Sequence, residues 1–302
     1  MPEAKLSIIM PSLNQGAYIA RAIGSVLSQS YRSIELIVMD GGSTDQTQDV
    51  LRHFARKDAR LRWTSEPDKG QADAVNKGWN QATGEVVGWL NSDDIYYPHA
   101  FRAVMKCFAA DHDIDVVYGE GDHVDRDDHF LSRHPTEPWN TDRLRESVIL
   151  AQPSVFFRRS ILQHCGLLDP SLHYCMDYEY WLRLSQAGLA FKYIPWVLSG
   201  TRFHEDAKTL KHRVAMHAEV NDMLRRRLGA VPARWILNYA FVAAGADTSL
   251  SWTTPWRAMM VLPLACQAAW KWNRAITPAN VLDWGRGITD KASKALERRR
   301  VA

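Results

Sequence analysis

The sequence predicts an α/β fold: a mainly parallel sheet flanked by helices, with a helical appendage at its C-terminal end. Two observations carry that prediction. Residues 6–90 alternate short apolar runs with segments of helical period, in the order β-α-β-α-β-α-β. Connections that short between parallel strands require right-handed crossovers, which place helices on both sheet faces. The second observation is compositional. Six of the twelve tryptophans (Trp235, Trp252, Trp256, Trp270, Trp272 and Trp284) follow residue 230, in apolar pieces flanked by basic residues.

"LSIIM" (6–10) is the first strand, closed by Pro11. In "GAYIARAIGSVLSQ" the apolar positions Ile19, Ala22, Ile23, Val26 and Leu27 have helical spacing. "IELIVMD" (34–40) is the second strand and ends on Asp40. In "GGSTDQTQDVLRHFA", Ser43 and Gln46 fit a capping box, and Val50, Leu51 and Phe54 line one face of the helix that follows. "LRWTSEP" (61–67) is the third strand, "GQADAVNKGWNQA" the third helix, and "GEVVGWL" (84–90) the fourth strand. Beyond it, "DIDVVYGEGDHVDRDDHFLSR" resembles a hairpin. Its His123, Asp125, Asp128 and His129 read as a solvated turn rather than a metal cluster, because no apolar shell surrounds them. "GLLDPSLHYCMDYEYWLRLSQAG" is a loop leading into a helix that turns Tyr178, Trp181 and Leu182 inward, and "TRFHEDAKTLKH" has the character of a mobile loop.

Length and charge bound the possibilities. The 302 residues, 46% hydrophobic, suffice for one large domain or a main domain with an appendage. We place the division at 1–215 and 216–302. A net charge of +3 gives no bias toward nucleic acid. The four cysteines (107, 165, 175 and 266) form no CxxC pair, and "MPEAKLSIIMP" lacks a leader pattern. Both fit a reducing cytoplasm. No run reaches the roughly 18–20 apolar residues that span a bilayer. The tryptophan-rich tail, ending in "ERRR", has two readings: a helical subdomain with its own core, or an appendage resting on the inner face of the cell membrane as a peripheral contact.

In open parallel sheets, ligands bind beyond the carboxyl ends of the strands. Those ends carry Pro11-Ser12-Leu13-Asn14, Asp40-Gly41-Gly42, Glu66-Pro67-Asp68 and Asn91-Ser92-Asp93-Asp94, so all four can meet along one rim. Adjacent carboxylates at a strand end suit a divalent cation, Mg²⁺ or Mn²⁺, completed by diphosphate oxygens. They also suit the cap of the helix that follows.

"IIMPSLNQGAYIARAIGSVLSQSY", "ELIVMDGGSTDQT", "SEPDKGQADAVNKGWNQATGEVVGWLNSDD" and "GLLDPSLHYCMDYEYWLRL" together resemble the family 2 glycosyltransferases of GT-A fold, over residues 5 to 215. The resemblance implies an inverting transfer from a nucleotide-diphosphate sugar to a hydroxyl acceptor, saccharide or lipid-linked, in polysaccharide or glycolipid biosynthesis. It places Pro11, Ser12, Asn14 and Asp40 at the nucleotide and maps the family's metal-binding DxD onto Asn91-Ser92-Asp93. Asn91 stands where the family commonly has Asp, so Asp93 is the expected metal ligand, with Asp94 in support. Asp68 and Asp73, with Asn76 more weakly, belong to the segment that closes over the donor. The catalytic base maps onto Asp177, a residue whose spacing also fits a helix N-cap. His204 matches a position that joins the metal or the diphosphate in relatives, with Arg202 and Lys208 placed to neutralise phosphate. Two other readings stay open: a non-catalytic sugar-nucleotide binder, which Asp93 and Asp177 argue against and Asn91 keeps alive, and a nucleotidyltransferase, which lacks its Gly-rich phosphate loop in "PSLNQGAY". A dinucleotide dehydrogenase fares worse, because no G-x-G-x-x-G follows any strand.

Overall fold

The computed structural model of the chain describes residues 3–204, 211–245 and 255–301. Lys208, Trp252 and half of the "TRFHEDAKTLKH" segment lie outside them, as do the side chains of Trp256 and of the terminal arginines. The chain divides into two compact units, Met1–Leu144 with Val148–Ala207, and Arg145–Ser147 with Lys208–Ala302.

The first unit is built on a nine-stranded sheet of order β3-β2-β1-β4-β8-β6-β9-β5, with β7 paired to β6. Strands β1 (Leu6–Ser12), β2 (Ile34–Asp40), β3 (Leu61–Ser65) and β4 (Val86–Trp89) form its parallel half. The other half is mixed. There β8 (Val155–Arg158) runs antiparallel to both β4 and β6 (Val116–Val124), while β9 (Phe191–Arg202) runs parallel to β6. The short β5 (Ile95–Tyr96) closes the edge against β9, and β7 (Phe130–Arg133) forms the hairpin with β6. Helix α5 (Thr141–Glu146) follows β7, and α6 (Ile161–Cys165) and α7 (Met176–Gln186) lie between β8 and β9 in sequence. The α/β architecture is the one expected, with an all-parallel N-terminal half and a mixed half in which β6 and β9 are parallel.

β1 and β2 are buried at every position, which is why they read as continuous apolar runs. Leu6, Ile8 and Met10 face a core shared with helix α1 (Ile19–Leu27), α2 (Thr47–Lys57) and α4 (Ala100–Ala110). Ile9 points to the other face, where α3 (Gln71–Gln81) approaches closely at Gly78. A Cβ there would stand 2.5 Å from Ile9 Cγ2, so only glycine fits.

Two local expectations are corrected. β1 does not stop before Pro11; it continues to Ser12, with Pro11 opposite Met39 of β2. Pro11 lies on the side of β1 where pairing with β4 has already ended at Ile9↔Trp89, so its missing N–H costs no ladder bond. The capping box at Ser43 and Gln46 does not form. α2 begins at Thr47, whose amide donates to Asp45 Oδ1 (2.9 Å), and Ser43 is drawn away by Asp40.

The second unit contains α8 (Arg213–Leu228), α9 (Ala233–Ala243), α10 (Pro255–Asn273) and α11 (Pro278–Val301). Trp235, Trp272 and Trp284 are buried in its core. Trp272 Nε1 donates to Asp222 Oδ1 (2.7 Å), and Trp284 Nε1 to the carbonyl of Ala233 (2.9 Å). Val231 and the Asn273 amide exchange two hydrogen bonds (2.8 and 2.9 Å). Among the described residues, no helix is long and apolar enough to cross a membrane.

Candidate active site

Sheet order places the reversal of winding between β1 and β4, which is where an open α/β sheet offers its crevice. The ends of β1, β2 and β3 on that rim are joined by hydrogen bonds. The Gly41 amide donates to the Ser12 carbonyl (2.8 Å) and that of Glu66 to Asp40 (2.9 Å). Asn14 takes a left-handed conformation (φ 53°), in which its amide donates to Ser43 Oγ (2.7 Å) and its Oδ1 accepts from the Thr44 amide (2.9 Å). Asp40 is buried, and its Oδ2 accepts from the Ser43 amide (3.0 Å) and Ser65 Oγ (2.6 Å), while Oδ1 accepts from Ser43 Oγ. A carboxylate has about four acceptor positions, so Asp40 retains one for a ligand. Ser12 Oγ is buried with no partner.

Asp68 stands over β2's end, since a Cβ on Gly41 would lie 2.6 Å from Asp68 Oδ2. Its Oδ1 accepts from the Gly70 amide (2.8 Å). Asp73, in the first turn of α3, accepts from the Lys69 amide (3.0 Å) and pairs with Lys77 (3.4 Å). That amide, with Lys77 in support, holds its carboxyl below the ordinary value. Asn76 exchanges two 2.9 Å hydrogen bonds with the backbone of Leu168, a structural use.

The Asn91-Ser92-Asp93-Asp94 segment is a turn closed by the Asp94 amide on the Asn91 carbonyl (3.1 Å). The Asn91 amide makes its hydrogen bonds within the protein. Oδ1 accepts from Gln71 Nε2 (2.7 Å) and Trp89 Nε1 (2.9 Å), and Nδ2 donates to Asp94 Oδ2 and Gln152 Oε1 (both 3.2 Å). Those four bonds fill its ordinary capacity. Asp94 is buried too, with Oδ1 accepting the Arg202 amide (2.9 Å). Burial, then the neighbouring Asp93 charge, pushes its carboxyl well above the ordinary value. Asp94 therefore works as an anchor inside the turn. Ser92 is buried beside it.

Asp93 faces outward from that anchor. Its Oδ2 lies 3.1 Å from His204 Nε2, and both side chains are largely covered. Tyr18, unremarked in the sequence, caps the pair: its ring centroid is 4.8 Å from that of His204 and 5.2 Å from the Arg202 guanidinium carbon. Arg202 does not present its charge to a phosphate. The guanidinium is fully buried, donating from Nε to the Asp93 carbonyl (2.7 Å) and from Nη1 to those of Asp125 and Arg126 (both 3.0 Å). Its Nη2 pairs with Asp128 (2.5 Å), which also pairs with Arg21 (3.0 Å). No periodicity marks Tyr18, Gln71, Gln152 or Asp128, because their roles depend on contacts far away in sequence.

Adjacent ligands on an octahedral ion with bonds of about 2.1 Å lie about 3.0 Å apart. The spacing of Asp93 Oδ2 and His204 Nε2 matches that, so these two could hold a divalent cation. The described residues contain no group of three or more His, Cys, Asp or Glu arranged for a metal, which leaves most of the coordination sphere to other oxygens. Asp177 is half-buried in the first turn of α7 (Met176–Gln186), where Cys175 is the N-cap residue. Its Oδ1 accepts the Tyr178 amide (2.8 Å).

The family model described as Glycosyl transferase family 2 matches residues 7–166. A chondroitin synthase from Escherichia coli is 28% identical over 207 residues, covering 68% of this chain and 30% of that one. A PGL/p-HBAD biosynthesis glycosyltransferase from Mycobacterium bovis is 30% identical over 206 residues, covering 66% and 77%. A mannosyltransferase from Pyrobaculum calidifontis, solved with GDP-Man and Mn²⁺, superposes with a TM-score of 0.62 at 19% identity, covering 97% of this chain and 81% of that one. The chain spans about half or less of the length of the curated relatives it matches first.

Proposed function

This chain belongs to glycosyl transferase family 2, and from that membership we propose a metal-dependent, inverting transfer of a sugar from a nucleotide diphosphate to a hydroxyl acceptor. The observation that carries this reading is the 3.1 Å pairing of Asp93 with His204 at the carboxyl end of the parallel strands. Relatives named for chondroitin and for PGL/p-HBAD synthesis support an acceptor of saccharide or lipid-linked type.

The rim of Pro11, Ser12, Asn14, Asp40 and Asp68 takes the nucleotide, with the unpartnered Ser12 hydroxyl and the open position on Asp40 available to it. Asp73 holds the Lys69–Asp73 turn at the mouth, while Asn91 and Ser92 shape the turn from beneath. A divalent cation between Asp93 and His204 would offset the charge of the departing diphosphate. Asp177 accepts the acceptor's proton as its oxygen bonds to the anomeric carbon and the bond to the diphosphate breaks. One in-line displacement inverts that carbon. The main unit works in the cytoplasm, and the C-terminal helices rest on the inner face of the membrane.

Transfer from UDP-, GDP- and dTDP-sugars, with and without Mn²⁺, tests the reading. Asp177→Asn is expected to lower transfer by about 100-fold or more while calorimetry shows unchanged donor affinity. Equal activity in the two proteins removes Asp177 as the base. The filled hydrogen bonds of Asn91 favour one other reading, a non-catalytic donor binder. Donor binding without turnover on any acceptor would establish it.

A further inference from the structure

Helix α10 has two apolar sides, and its own unit uses only one. Val261, Ala265, Ala268, Ala269 and Trp272 are buried. On the opposite side Met259 is 76% exposed, Leu262 37% and Trp270 60%, with half-buried Cys266 between them. Their spacing of 3, 4 and 4 residues makes one stripe along the helix. Lys271 and Arg274 stand exposed at its C-terminal end, and Ile276 and Leu282, further along the chain, are exposed too.

Charge indicates what covers this face. The sequence after residue 207 holds 16 Lys and Arg against 6 Asp and Glu, while the first 207 residues hold 21 against 28. The small overall charge hides a strongly basic C-terminal part. A second copy of that part would be repelled by its like charge. Nucleic acid would answer the charge but offer little to a stripe of methionine and leucine. An anionic lipid surface answers both, with acyl chains against the stripe and headgroups against Lys271 and Arg274. Residues 259–270 rise about 16 Å, which suits lying in the interface and not crossing it.

We infer that the Met259–Leu262–Trp270 face of α10, bordered by Lys271 and Arg274, docks on anionic lipid. This rests on the membrane reading above and names the face and the lipid chemistry. The test is sedimentation of the full chain with vesicles of phosphatidylcholine alone or with roughly one third phosphatidylglycerol. Binding is expected to the mixed vesicles only, and to fall with added salt. Trp270→Ser and the pair Lys271→Glu/Arg274→Glu should each weaken it by about tenfold or more. Brominated acyl chains should quench tryptophan fluorescence in the wild type and less in Trp270→Phe, a readout that needs no destabilising change. Wild-type binding that none of these variants alters would overturn this face while leaving the membrane reading intact. Absence of binding to the mixed vesicles would remove both, and transfer to a soluble acceptor, measured separately, would still stand. A dimer that Trp270→Ser splits would assign the face to a second copy and overturn the inference.

Discussion

His204 Nε2 sits 3.1 Å from Asp93 Oδ2 although 111 residues separate them in sequence. The pairing follows from the sheet. β5 begins one residue after Asp94 and pairs with β9 at Ile95↔Gly200 and Tyr96↔Ser199. The Arg202 amide then binds Asp94 and its guanidinium the Asp93 carbonyl, so the residues that follow β9 are delivered to the turn. His204→Ala and Asp93→Ala should each weaken Mn²⁺-dependent donor binding by about tenfold or more, with little change in melting temperature. Calorimetric titration of donor with and without Mn²⁺ checks this, and unchanged affinity would dismiss the pair as a metal site.

Restoring a carboxylate at position 91 should not improve the protein. Asn91→Asp removes the two donors to Asp94 and Gln152 and sets a like charge against Asp94. The expected loss is about 2 kcal/mol. Burial already raises the Asp94 carboxyl, so its proton is held more tightly folded than unfolded, and stability tied to it grows as pH falls. The cost of the substitution should therefore be larger at about pH 8 than at about pH 5. Urea unfolding at both values tests the sign.

Arg202 ties three segments together, so its loss should be felt as stability before chemistry. Arg202→Met keeps the stem but strands the carbonyls of Asp93, Asp125 and Arg126 and half the Asp128 pairing. A loss of about 2–4 kcal/mol is expected, with Arg202→Lys recovering part. Chemical denaturation of the three proteins makes the comparison, and a neutral Arg202→Met would refute the tie.

At the opposite, amino end of the sheet, Glu35 answers to pH in the usual direction. Its side chain is 5% exposed, and burial alone would raise its pKa. Hydrogen bonds from Ser7, Thr83 and Lys5 outweigh that and lower it from 4.5 to about 2. A lowered folded pKa stabilises above 4.5, and the contribution is lost as pH falls from 4.5 through 2. The amount is about 3 kcal/mol. Glu35→Gln should flatten the stability profile across that window. An unchanged acid slope would show that other carboxylates carry it.

Much of the rim was legible in the residues. β1 and β2 are buried on both faces, so their apolar runs stand out, and a strand that must end at the sheet's edge shows where polar residues begin. Asp40, Asp68 and Asp93 stand at or just beyond those strand ends. The partners were not legible: Gln71 and Gln152 on Asn91, Tyr18 over His204, and Asp128 joining Arg21 to Arg202. Each joins residues from separate elements, and local spacing carries no signal of it. Ser43 shows the reverse failure, since a local capping pattern yielded to the stronger pull of the buried Asp40 carboxylate.

By itself, the sequence determined the order of strands and helices through residue 90, the rim of polar residues at the parallel strand ends, and a C-terminal region of different composition. Those follow from local periodicity, which chain-neighbouring residues set. The tertiary structure alone decided which of the rim's polar groups remain outward-facing. Asn91, Asp94 and Arg202 look alike in sequence to groups that meet a ligand, yet burial required each to find a partner inside the protein. Asp93 and His204 were left facing each other because their neighbours had already met that requirement.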